Sequence, residues 1–72
     1  MTVVKVVELV GSSTESWDDA VRDAVATAAK TIDHITGAEV VNITADVEDG
    51  RITGYKANVK VAFVVDDSRR GV

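Results

Sequence analysis

Only one stretch of this chain repeats with a helical period, and that limits what it can fold into. Trp17, Ala20, Val21, Ala24, Ala28, Ile32 and Ile35 recur at three- and four-residue steps, which puts them on one face of a helix. The spacing predicts a helix from about Ser16 to His34, with Gly37 as its natural stop. Ser16-Trp17-Asp18-Asp19 can form a capping box, with Ser13 or Ser12 as earlier N-cap alternatives. Asp18, Asp19 and Asp23 sit near the start and Lys30 later, as the helix dipole prefers.

The rest reads as strand. Thr2 to Val10 holds five Val in nine residues, the side chain whose branched Cβ suits a pleated surface. Gly11-Ser12-Ser13-Thr14 then breaks the pattern. Two further strands are predicted, Ala38 to Glu48 and Ile52 to Asp66, around Asp49-Gly50. Alternation places Val41, Ile43, Ala45 and Val47 on one face, with Tyr55, Ala57, Val59, Val61, Phe63 and Val65 as their counterparts. The other face carries Asn42, Thr44, Asp46 and Glu48, then Lys56, Asn58 and Lys60, together with Val40, Ala62 and Val64. A plain Asp-Gly hairpin would pair Ile43 with Lys56 and mix these faces. A three-residue loop Asp49-Gly50-Arg51, bulged at Gly50, would keep Ile43 opposite Ala57 and Asn42 opposite Asn58.

The expected fold is α+β: strand-helix-strand-strand, with a three-stranded antiparallel sheet in the order 1-3-2 wrapped on one helix. It is a single domain over residues 1–72, with about residues 67–72 as a flexible tail. One helix covers one face of a sheet, so the second face must meet solvent, a ligand or further copies. A chain this short buries only about 60% of its unfolded surface. With no Cys to staple it, association is the expected source of added stability.

The balance of residues excludes several classes. Twelve acids against eight bases give a net charge of −4, which argues against a nucleic-acid partner. No apolar run approaches the ~18 residues of a membrane span, and Lys60 interrupts Val59 to Val65. Met1-Thr2-Val3-Val4-Lys5 lacks the build of a secretory leader, so a cytoplasmic location is expected. Catalysis finds little support. His34 is the sole imidazole and reads as a surface histidine near the expected helix end; with no Cys and no His partner for any Ser, a nucleophilic triad has no base to work with. The glycines stand singly and build no phosphate-cradling loop.

Hard-cation ligands are the better-supplied chemistry. Calcium takes six to eight oxygens, often with carbonyls and waters among them. Asp46-Val47-Glu48-Asp49-Gly50 puts Asp46 and Glu48 on one strand face beside a turn, without the spacing of an EF-hand. Solvated hairpin charge explains such a run equally well. Glu8 interrupts an apolar strand, and a salt bridge to Lys56 or Lys60 is its structural explanation. Trp17 reads as a core or interface anchor.

Lys5-Val6-Val7-Glu8-Leu9-Val10-Gly11-Ser12-Ser13, Ser16-Trp17-Asp18-Asp19-Ala20, Ala38-Glu39-Val40-Val41 and Val59-Lys60-Val61-Ala62-Phe63 resemble the dodecins, in order and over nearly the whole chain. The resemblance implies a homododecamer, a hollow shell of cubic symmetry in which neighbouring copies meet the uncovered sheet face. Flavin-binding dodecins stack the flavin on a Trp just before the Ala-Glu-Val segment and hydrogen-bond it with a Gln on the third strand. Gly37 and Lys56 stand at those positions here. Gly has no ring, and the Lys ammonium does not reproduce an amide's donor and acceptor.

The chain is thus similar to the calcium dodecin branch, which implies a non-enzymatic shell that binds or stores Ca2+ and has lost flavin binding. Assembly adds a reason, because like charges packed into one particle call for counterions. Symmetry would also bring identical carboxylates together. The metal ligands expected are Glu8, Asp46 and Glu48, with Asn42, Thr44 and Asn58 as neutral oxygen donors or water-holders, and Glu15 and Asp49 as weaker candidates. The alternatives are a dodecin that buffers flavin or another small cofactor, and a purely structural oligomer.

Overall fold

The computed structural model describes residues 2–66. They form β1 (Val3–Ser13), α1 (Trp17–Ala28), β2 (Ile35–Glu48) and β3 (Arg51–Asp66). All pairing is antiparallel and β3 lies in the middle, in the order β1-β3-β2. The expected α+β topology is therefore present. The flexible tail expected over residues 67–72 lies outside the described residues.

Helix α1 starts where its hydroxyls dictate. Ser16 is the N-cap, and its Oγ accepts the Asp19 N–H at 3.0 Å. Ser13 supports the same turn: its Oγ accepts from the backbone of Glu15 and Ser16 and donates to Asp19 Oδ2 at 2.7 Å. One stripe of the helix is pure alanine. Ala20, Ala24 and Ala28 are buried against Ala57, Val59 and Val61 of β3, and among the described residues no buried side chain is larger than Val. Val7, Leu9, Val21, Val25, Ile32 and Ile35 pack around that centre.

The alanine stripe lets the helix backbone approach β1 closely at Gly11. A Cβ there would collide with the Ala20 carbonyl oxygen and lie 2.9 Å from the Ala24 Cβ. Gly11 is thus part of the strand, and β1 continues through it to Ser13, past the end expected at Val10.

The helix ends at Ala28, well short of His34. Beyond it Thr31, Ile32, Asp33, His34, Ile35 and Thr36 are all poor helix formers. The chain tightens first, with Lys30 N–H bonding the Thr27 carbonyl and Thr31 N–H that of Ala28. His34 then takes φ 64°, outside the right-handed helix. Ile32 and Ile35 still pack on the core, but from a turn and from β2. Gly37 lies inside β2 and stops nothing.

The hairpin delivers the expected register by another route. Asn42 is opposite Asn58 and Ile43 opposite Ala57. The turn, however, is the two-residue Asp49-Gly50, with φ 51° and 75°, between paired Glu48 and Arg51. The spare residue is Thr53, skipped between Val47–Ile52 and Asp46–Gly54. A second irregularity skips Val41 between Val40–Val59 and Asn42–Asn58. That shift moves Val40 onto the face of Val59, so its assignment to the polar face is corrected. Val40, Ile43 and Val47 nevertheless remain 48%, 50% and 65% exposed, because α1 does not extend over β2.

Candidate cation-binding face

Pairing across the sheet fixes which side chains share the face away from α1. Taken across β1, β3 and β2, the rows are Val6–Ala62–Gly37, Glu8–Lys60–Glu39, Val10–Asn58–Asn42 and Ser12–Lys56–Thr44, and beyond them Gly54–Asp46. An apolar end thus gives way to charged and neutral polar rows. Ala62 and Val64 lie on this face as expected, opposite Val6 and Val4.

Asp46 is the most closely defined carboxylate. Its Oδ1 accepts from Lys56 Nζ at 3.0 Å. Its side chain lies over Gly54, where a Cβ would be 2.9 Å from Oδ2. Thr53, the spare residue of the bulge, donates its hydroxyl to the Asp46 carbonyl at 3.4 Å. Glycine, bulge and lysine together set this carboxylate in place.

Glu8 is exposed and directly opposite Lys60, and Glu39 is opposite Lys60 from the other side. Sequence reasoning named Lys60 as a partner for Glu8 but missed Glu39 as a candidate. Its place in that row depends on the skipped residue at Val41, which no local pattern announces. Glu48 sits opposite Arg51 at the turn. Asn42 and Asn58 face each other, and Thr44 adjoins Lys56. Of the weaker candidates, Asp49 forms the turn and Glu15 bonds its N–H to Ser13.

These carboxylates do not converge within one chain. The row of Glu8 and the row of Asp46 are separated by the β3 segment from Lys60 to Gly54, roughly 20 Å at the rise of a strand. Among the described residues no group of three or more His, Cys, Asp or Glu is placed to hold a metal ion. Among the described residues, a site of three or more carboxylates would therefore need a second copy.

A recess of ≈ 210 Å³ opens on the same face, lined by Val6, Gly37, Ala38, Glu39, Lys60 and Ala62. Gly37 is its bare wall, since a Cβ there would meet nothing within 4 Å. Trp17 belongs to the opposite side. Its ring meets Tyr55 edge-on at 4.8 Å, and its Nε1–H donates to the Thr44 carbonyl at 2.7 Å. This indole anchors α1 to β2 and β3. His34 is exposed in the turn before β2, and the Ser13 and Ser16 hydroxyls are engaged at the helix start. No helix of the described residues is long and apolar enough to cross a membrane.

The model of the Dodecin family matches residues 3–66. A calcium dodecin of Mycobacterium tuberculosis is 36% identical over 64 residues, covering 88% of this chain and 89% of that protein. A dodecin of Thermus thermophilus is 33% identical over 66 residues, covering 92% and 96%. The crystal structure of the M. tuberculosis protein, described as calcium chelating with a novel calcium-binding site, superposes with a TM-score of 0.77. It is 33% identical and covers 92% of this chain and 94% of that one.

Proposed function

Because the chain belongs to the dodecin family, we propose that it assembles into a closed homododecameric shell that binds or stores calcium and performs no chemistry. The observation that carries this reading is the open sheet face. It bears Glu8, Glu39, Asp46 and Glu48 among the neutral oxygens of Asn42, Thr44 and Asn58, and α1 leaves it uncovered. Calcium needs six to eight oxygens, more than one chain's dispersed carboxylates supply, and symmetry-related copies would complete the set. Glu8, Asp46 and Glu48 are the ligands proposed, in a cytoplasmic protein. The calcium-chelating M. tuberculosis relative supports the choice of ion.

A second reading, a buffer of flavin or another small cofactor, draws on the recess beside Gly37. It is the weaker one. Position 37 offers no ring, and Lys56, where the resemblance expects an amide, is engaged with Asp46.

Native mass spectrometry with and without a chelator tests both readings. The expected result is a dodecamer whose mass falls by whole calcium ions on chelation. A monomer or dimer in millimolar calcium would reject the shell, and an unchanged mass would reject the ion.

A further inference from the structure

We infer that Lys56 is a built-in counter-ion that competes with a metal cation for Asp46 and so lowers the calcium affinity of the open face. This inference rests on the cation-binding reading above. Lys56 Nζ stands 3.0 Å from Asp46 Oδ1, in the position a cation on that oxygen would take. Oδ2 lies over Gly54, where the missing side chain gives the carboxylate room. The arrangement is built from the backbone outward. The bulge at Thr53 brings Gly54 opposite Asp46, and the alternation of β3 then sets Lys56 on the same face, one row further on.

A lysine ammonium is a compact charge with three donors, so it satisfies a carboxylate much as a metal does. The two cannot share one oxygen without like charges meeting at close range. The pair is also open to exchange, since the Lys56 and Asp46 side chains are 44% and 51% exposed. An exposed ion pair is weak and yields readily to a competitor. The competitor nonetheless loses whatever the pair contributed. Lys56 therefore acts on the metal through Asp46, and is not itself a ligand.

Calcium titration calorimetry on the assembled protein tests this with three variants. Lys56→Met frees Asp46, and Lys30→Met removes one positive charge from the exposed turn after α1. Asp46→Asn combined with Lys56→Met removes the contested carboxylate. The expected result is a two- to fivefold tighter calcium constant for Lys56→Met, the range that an exposed ion pair of up to about 1 kcal/mol allows. Lys30→Met should leave the constant unchanged, and the double variant should lose the gain. Equal tightening by both single variants would show a general charge effect and overturn the inference, as would no change in Lys56→Met. In either case the wild-type heat of binding leaves the cation reading standing. Binding by Lys56→Met where the wild type shows none would establish a complete block by Lys56. Absence of binding in every protein would overturn both readings at once.

Discussion

Gly11 of β1 lies directly beneath Ala20 of α1, so close that a methyl group on Gly11 would strike the Ala20 carbonyl oxygen. A backbone carbonyl inside a helix cannot rotate away as a side chain does. The contact thus fixes the distance between α1 and the sheet, and through it the depth of Ala20 and Ala24 in the core.

Gly11→Ala should therefore destabilise the fold by about 1–3 kcal/mol or more, the usual cost of overpacking a tight core. Gly37→Ala is the control, because a Cβ there meets nothing within 4 Å and its φ is not positive. Denaturant melts of the two variants should separate clearly, and equal midpoints would contradict the close approach.

Trp17 contributes through its ring and through its N–H, and these separate by substitution. Trp17→Phe removes the donor to the Thr44 carbonyl while keeping a ring near Tyr55, at an expected cost of about 0.5–1.5 kcal/mol. Trp17→Ala removes both and should cost roughly 3 kcal/mol. Chemical denaturation of the pair checks the order, and an equal loss in both variants would place the whole contribution in the hydrogen bond.

At the hairpin tip the left-handed backbone is the determinant. Gly50 has φ 75°, a region that costs a residue with a Cβ roughly 1–2 kcal/mol. Gly50→Ala should lower the melting temperature even though nothing lies within 4 Å of the added carbon. Asp49→Asn, at φ 51°, should be nearly neutral, since Asn accepts this conformation readily. A neutral Gly50→Ala would mean that the turn adopts another form.

Flavin affinity is expected to be weak or absent in the wild type, read as little quenching of riboflavin fluorescence on titration. Gly37→Trp with Lys56→Gln should restore part of it, as the ring would grow from the bare wall of the recess. Saturating quenching by the unaltered protein at low micromolar concentration would reverse the preference between the two ligands.

The register of β2 on β3 was legible because only one parity keeps Ile43 with Ala57 and Asn42 with Asn58. Parity does not say where the spare residue goes. Sequence reasoning put it in the turn at Gly50, and the chain puts it at Thr53. Val40 was misplaced for the same reason, since the skip at Val41 changes which face it joins. The helix end was obscured differently. Ile32 and Ile35 continue the helical spacing and do pack on the core, so burial alone could not reveal that the chain there is no longer helical. Of the candidate site, the face bearing Glu8, Asp46 and Glu48 could be read from alternation. Of the Asp46–Lys56 pair only the shared face was legible: the expected register already sets Gly54 opposite Asp46 and Lys56 one row on, but which carboxylate the lysine reaches is decided by side-chain placement.

A core in which Ala20, Ala24, Ala28, Ala57, Val59 and Val61 are the buried residues has an asymmetric response to mutation. Truncation has little to remove, since Val→Ala deletes two methyl groups and an alanine can lose only one carbon. Enlargement has nowhere to go, since the helix already rests on backbone at Gly11. Substitutions that add volume along this seam should accordingly be purged long before those that subtract it. The permitted variation of such a chain is confined to residues no larger than those it already has.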